Sequence, residues 1–239
     1  MRHPFRSLLS GSLLALPLLM HTSCASQFNV DGNSDLAKLD GQVLYLRPLG
    51  STSALSCLDS CQVVHGRFNF GGEVDSIMFA EVYMGQERVM PLVVEGADLS
   101  INLDAMGQIV EGGKLNDQLY DFLNEMAQFE NEMCELEFKS MRLFHQGMPI
   151  QEAMSQTSDE VRKLKHKSEK REEDFVLKNS DNALGIGYFI SLCESQPFLT
   201  NHMRRIVDRA PASFLSHPFI STYLHQMGYT PAKKGKKKK

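Results

Sequence analysis

The sequence is poor in the features that announce chemistry. Its 239 residues hold no tryptophan and five cysteines, too few for a disulfide scaffold when 42% of the residues are hydrophobic. No His-Glu-x-x-His, Gly-x-Ser-x-Gly or phosphate-binding loop occurs, which removes the common signatures of zinc hydrolases, serine hydrolases and nucleotide sites. The eight histidines do not cluster. His217 and His225 come nearest to sharing a helix face, but Pro218 and the lack of a third ligand nearby argue against zinc. Beyond residue 23 no apolar run approaches the roughly 20 residues that a membrane-spanning helix needs. A general basic charge is lacking too, the formal net charge being −4. Of the 25 basic residues, two lie in residues 1–23 and six in residues 233–239, leaving 17 against 29 acidic ones, or −12 for residues 24–232. A body this acidic is not a nucleic-acid-binding fold. The expectation is a chain that is not an enzyme, with no catalytic residue, metal site or cofactor.

What is present first concerns location. Arg2 and Arg6 precede the apolar run Leu8–Met20, which has the length and flanks of a signal-peptide core. The run ends at His21-Thr22-Ser23-Cys24, similar to the lipobox of bacterial lipoproteins, in which cleavage leaves a lipidated cysteine. His21 departs from that pattern, where an aliphatic residue is usual. Ordinary secretory cleavage after Ala25, with Ser23 and Ala25 as the small pair, is the alternative. Residues 1–23 are therefore expected to be a lipoprotein-type signal peptide and Cys24 a lipidation site. The anchor would tie the chain to a membrane of the bacterial cell envelope, at the outer membrane and facing the periplasm.

Residues 24–112 read as a β-rich domain. Runs such as Val43-Leu44-Tyr45-Leu46, Phe68-Asn69-Phe70, Leu92-Val93-Val94 and Leu99-Ser100-Ile101-Asn102-Leu103 recur between Gly, Asp, Asn and Ser punctuation. The alternation of Phe68/Phe70 and of Leu99/Ile101/Leu103 with polar residues suits a half-buried antiparallel sheet. Short strands without intervening helices predict an antiparallel β-sandwich or partly open barrel.

Residues 113–228 read as α-helical, making the whole an α+β chain. Asn116 or Asp117 can cap a helix in which Leu119, Phe122, Met126, Phe129, Met133 and Leu136 form one apolar seam, running to about His145. A second helix, roughly 152–178, is mostly charged: twelve of the sixteen residues 159–174 are Asp, Glu, Lys or Arg, with Val161, Leu164, Phe175 and Val176 as anchors. That pattern predicts a solvated face, or one arm of a helical hairpin projecting from the body. Shorter helices are expected near 183–193, 200–209 and 217–227. Residues 229–239, ending in six lysines, form a tail that reads as a solubilising end, a tether to anionic envelope polymers or lipid, or, less compatibly with export, a nucleic-acid patch.

Several of these stretches carry a resemblance. Phe28-Asn29-Val30-Asp31-Gly32, Gly66-Arg67-Phe68-Asn69-Phe70-Gly71-Gly72, Pro91-Leu92-Val93-Val94-Glu95-Gly96, Leu115-Asn116-Asp117 and Asn179-Ser180-Asp181-Asn182-Ala183-Leu184-Gly185 resemble a β-rich domain of unknown function. That domain occurs in bacterial envelope lipoproteins, N-terminal to thioredoxin-like thiol–disulfide oxidoreductase modules. The resemblance implies a thioredoxin-like partner or module, whose Trp-Cys-x-x-Cys redox pair this sequence lacks. It transfers no catalytic residue.

Among the remaining cysteines, Cys57 and Cys61 form Cys-x-x-x-Cys among strands. On one extended strand they would lie about 13 Å apart at roughly 3.3 Å per residue, beyond bonding reach, although a turn at Asp59-Ser60 would close the gap. A structural disulfide, two inert thiols and an accessory role in a periplasmic thiol–disulfide system all remain open. Cys134, beside the seam, and Cys193 read as small hydrophobes. Met126, Met133 and Met141, on or near the seam, read as core filling or, less commonly, as an adaptable partner surface. The overall expectation is a non-catalytic envelope lipoprotein that acts as a binding or interaction module.

Overall fold

The computed structural model describes residues 26–50 and 56–230. The signal peptide, Cys24 and residues 231–239 of the tail lie outside them, whereas Tyr229, expected in the tail, packs on the helical part and donates to Asp208 Oδ1 at 2.7 Å. Eight strands precede six helices: β1 (Ser26–Ser34), β2 (Val43–Pro48), β3 (Asp59–Gln62), β4 (Arg67–Val74), β5 (Met78–Met84), β6 (Glu87–Val94), β7 (Asp98–Leu103) and β8 (Gln108–Glu111). They make two four-stranded sheets, ordered β4-β1-β7-β8 and β3-β2-β5-β6, packed face to face and not closed into a barrel. The predicted alternation sets the inward faces: Phe68 and Phe70 on β4, and Leu99, Ile101 and Leu103 on β7, are all buried. One pairing departs from the antiparallel expectation. β1 runs parallel to β7, so that β1 lies between β4 and β7 in a mixed sheet.

The helices are α1 (Lys114–His145), α2 (Ile150–Lys178), α3 (Ala183–Ser195), α4 (Asn201–Arg209), α5 (Ala212–Leu215) and α6 (Pro218–Gln226). α3 lies on the outer face of the second sheet, which explains why β5 is buried on both sides. A Cβ on Gly187 would stand 2.2 Å from Phe79 Cβ, so helix and strand approach to a distance that only glycine permits. Glu81, only 1% exposed, completes this contact. It accepts hydrogen bonds from Tyr83 Oη (2.7 Å) and Ser191 Oγ (3.4 Å) and pairs with Arg88 Nε at 2.9 Å. Burial raises its carboxyl pKa, against the lowering influence of Tyr83 and Arg88.

The start of α1 differs from the expected cap at Asn116 or Asp117. The helix begins at Lys114 with Gly113 as the preceding residue and no side-chain bond from it. Its first N–H groups are met from the sheet. Leu115 and Asn116 N–H both donate to Glu95 Oε1 at 3.1 Å, a carboxylate placed at the positive end of the helix dipole. The Asn116 side chain serves the sheet as well. Wholly buried, it accepts from Val93 N–H (2.9 Å) and donates to Val93 O (2.8 Å), satisfying the free edge of β6. Tyr120 Oη adds a bond to Pro91 O at 2.7 Å. The first turns of α1 therefore belong to the sandwich. Leu119, Tyr120 and Phe122 share its core, and a second core forms among α3, α4, α5, α6 and the end of α2.

Candidate interaction surface

α1 and α2 form an antiparallel hairpin. α1, with 32 residues, is about 48 Å long at roughly 1.5 Å per residue, and beyond Phe122 its only buried side chain is Ser140. The distal part of the hairpin thus leaves the body, as one of the two readings of the charged strip foresaw. Its register holds from base to tip. Phe122 stacks on Phe175 with ring centroids 3.9 Å apart, Arg171 pairs with Glu125, Lys139 Nζ meets Glu160 Oε1 at 2.9 Å, and Ser140 Oγ lies 2.7 Å from Thr157 Oγ1. The seam residues Met126, Phe129, Met133 and Leu136 are half-buried against α2.

Two helices cannot cover one another on every side, and this pair carries apolar residues off its seam. Phe138, Met141 and Phe144 on α1, and Ile150 and Met154 on α2, are exposed, Met154 at 60% and Phe138 at 56%. Met141, Ile150 and Met154 gather on one flank and Phe138 stands on the other, a concentration of exposed apolar residues towards one end of one hairpin, where single scattered ones would need no account. On one flank Met133, Leu136 and Met141 join Ile150, Met154 and Val161 in an open groove of about 750 Å³. Its borders differ in charge: Glu137 stands on the α1 side, Arg162 and Lys165 on the α2 side. On the opposite flank Glu132 and Glu135 face Lys163 and Lys167 across Leu136, Leu164 and Phe138. α1 is the acidic border and α2 the mainly basic one on both flanks.

Of the methionines singled out from sequence, Met126 and Met133 fill the seam, whereas Met141 faces solvent. Phe138, Phe144, Ile150 and Met154 were not singled out. The available signal was partial: Phe138 and Met141, three apart, lie off the seam 126-129-133-136, whereas Phe144 falls in line with Met126 and carries no such mark. Cys134 is exposed on this outer flank and is not the packed hydrophobe expected, because α2 covers only the seam.

The base of the hairpin corrects a second expectation. Glu172 and Glu173 are not a solvated pair. Glu173 is buried and pairs with Arg205 Nε at 2.5 Å and Arg209 Nη1 at 3.1 Å. Glu172 bonds His202 Nε2 and accepts from Tyr188 Oη at 2.6 Å. The cause is α4, which docks on the last turns of α2 and brings its own cations. Burial disfavours a charged His202 imidazole, but the hydrogen bond and charge of Glu172, with Glu169 and Glu173 beyond, outweigh it and raise the pKa. Tyr188 is pushed well above the ordinary phenol range by burial and by Glu172.

The cysteine pair is not bridged in this structure. Cys57 and Cys61 are free thiols. Cys61 lies opposite Leu44 in the β2–β3 ladder, while Cys57 precedes the strand, its Sγ donating to Asp59 O at 2.8 Å. Burial raises the Cys61 thiol pKa, and Asp59 adds to it against a backbone hydrogen bond from Asn69, an environment opposite to that of a reactive thiolate. Cys193 is buried, and its thiol is pushed up to about 12 by burial and by Glu194. His217 and His225 lie at the start and in the last turn of α6. Among the described residues no group of three His, Cys, Asp or Glu side chains is arranged to hold a metal ion, and no helix is long and apolar enough to cross a membrane.

These features define a two-sheet β-sandwich bearing a long helical hairpin and a small helical cap. Residues 28–119 match the family model of a domain of unknown function, DUF4369. The match covers the sandwich and ends at Leu119, in the part of α1 that is buried in the sandwich core. The exposed part of the hairpin and the helices after it lie beyond the match. No curated protein matches the chain.

Proposed function

We propose that the chain is a non-catalytic interaction module of the bacterial cell envelope, exported by its N-terminal signal and held to a membrane through Cys24. The observation that carries this reading is the apolar end of the hairpin. Phe138, Met141, Phe144, Ile150 and Met154 are all exposed on the part of the two-helix arm that leaves the sandwich, with Met141, Ile150 and Met154 on one flank. Leaving such a patch in water costs roughly 25 cal/mol for each Å² of apolar surface that association could cover. Methionine and phenylalanine are suited to partner surfaces because they adapt and bury much area. The sandwich is the platform, the hairpin the presented element, and the lipid the tether. The alternative, an accessory role in a thiol–disulfide system through Cys57 and Cys61, has less support, since Cys61 is half-buried in a strand with a raised pKa.

The reading is tested by placing a photo-crosslinking amino acid at Phe144 and, as a control, at Met106, which is 95% exposed on the sandwich. Crosslinked protein adducts in the native envelope are expected from position 144 and not from 106. Absence of any adduct from position 144 would overturn the reading.

A further inference from the structure

We infer that the groove lined by Met141, Ile150, Met154 and Val161 is covered by a second copy of this chain, the two hairpins forming a four-helix bundle about a two-fold axis that runs along them. The inference rests on the proposed interaction role of the hairpin and names the partner. Its ground is the charge pattern of the groove. A two-fold contact buries the same patch on both copies, so that the patch must complement itself. Two such axes lie in the plane of the groove. An axis across the hairpin would set α1 on α1 and α2 on α2, bringing Glu137 towards its own copy and Arg162 with Lys165 towards theirs. Like charges would then meet on both sides of the seam. An axis along the hairpin sets α1 of each copy on α2 of the other, so that Glu137 faces Arg162 and Lys165 of the second copy on both sides of the seam. Only the second arrangement is complementary.

The level of these residues fits as well. A closed two-fold allows no sliding along its axis, so the register inside one hairpin is also the register between the two. Ser140 opposite Thr157 and Phe122 opposite Phe175 place Leu136 level with Val161. Glu137 then stands about 3 Å along the axis from Arg162 at roughly 1.5 Å per residue, within reach of both side chains. Between the charged borders, Met133, Leu136 and Met141 of one copy would lie on Ile150, Met154 and Val161 of the other, the apolar seam that a four-helix bundle buries. Both tips point the same way and both sandwiches sit at one end, which is compatible with two chains anchored in one leaflet.

The test is the mass of the purified chain in solution, by sedimentation equilibrium, with helix content checked by circular dichroism. The unaltered chain is expected at twice its monomer mass at tens of micromolar. Met154→Glu and Met141→Glu, both at exposed positions, are each expected to give folded monomers. Glu137→Lys and Arg162→Glu, made singly, are each expected to weaken association about tenfold, because two symmetry-related attractions become repulsions. Combined in one chain they bind more tightly than either single, since the 137–162 pair is again opposite in charge, and more weakly than the unaltered chain, because Lys165 is unchanged. A chain that stays monomeric, or dimerises with an affinity untouched by either methionine substitution, overturns the inference. So does a double charge swap that is no tighter than the singles. A monomeric chain that is still crosslinked through Phe144 to a different protein refutes this partner and leaves the interaction role standing. A tip that crosslinks to nothing removes both.

Discussion

Ser140 and Thr157 meet across the hairpin with their hydroxyl oxygens 2.7 Å apart, a buried polar pair in a mainly apolar seam. Leu136 O and Met154 O lie one turn back, each 3.2 Å from its hydroxyl, so one hydroxyl donates to its backbone carbonyl and the other donates across the hairpin. The pair is therefore satisfied in full, and it fixes which turn of α1 faces which turn of α2. Loss of one hydroxyl by Ser140→Ala or Thr157→Val is expected to cost about 1 kcal/mol, and the double replacement less than the sum. Urea denaturation of the two singles and the double measures this. Strict additivity would show that the pair does not couple the helices.

Asn116 offers a sharper stability test, because its carboxamide closes the edge of β6 and its own N–H helps to bind Glu95 at the start of α1. Asn116→Ala is expected to destabilise by about 2–4 kcal/mol, since it strands buried backbone groups of Val93. Asn116→Asp keeps the acceptor but loses the donor and adds a charge facing Glu95, so it is expected to cost at least as much. Denaturant midpoints at constant slope decide the matter.

Gly187 is expected to reject even a methyl group. A Cβ there collides with Phe79 Cβ at 2.2 Å, and neither backbone can yield without moving α3 off β5. Gly187→Ala should lower stability by about 1–3 kcal/mol, despite alanine's better helix propensity, the cost expected of an overpacked core. A melting temperature at or above that of the parent chain would refute this packing. Gly185 is held as tightly, a Cβ there standing 2.3 Å from Asn179 O, so both glycines of Gly185-Ile186-Gly187 serve close packing.

The docking of α4 on α2 is expected to depend on pH through His202. Its folded pKa is raised above 6.5, so the folded state holds the proton more tightly than the unfolded chain. The stabilisation is complete below pH 6.5 and is lost as the pH rises through the folded value. Stability measured from pH 6 to pH 9 should fall with pH in the parent chain and fall less in His202→Gln. Parallel curves would mean that Glu172, Glu169 and Glu173 do not hold the charged imidazole.

Much of this fold was legible in the sequence. Alternation at Phe68/Phe70 and Leu99/Ile101/Leu103 marks strands whose inner faces are those observed, and the three-four spacing from Leu119 to Leu136 marks the face of α1 that meets the sheet and α2. What was hidden depends on contacts distant in the chain. The start of α1 is set by Glu95, about twenty residues earlier, so a local cap at Asn116 or Asp117 was the natural but mistaken expectation. Glu172 and Glu173 looked solvated because their partners, His202, Arg205 and Arg209, arrive from another helix. The parallel β1–β7 pairing has no signature in either strand alone. The exposed apolar surface proposed for interaction was half visible: Met141 stood out as part of a methionine-rich helix, but only the path of α2 shows that it, with Phe138, Phe144, Ile150 and Met154, is left uncovered.

The central claim is that association covers the outer half of the hairpin. Backbone hydrogen exchange across residues 133–162, measured at increasing protein concentration, tests it most directly. The account predicts that protection at the tip rises with concentration in the parent chain but not in Met154→Glu, while the sandwich strands are unchanged in both. Tip protection that is independent of concentration and identical in the two chains would contradict it.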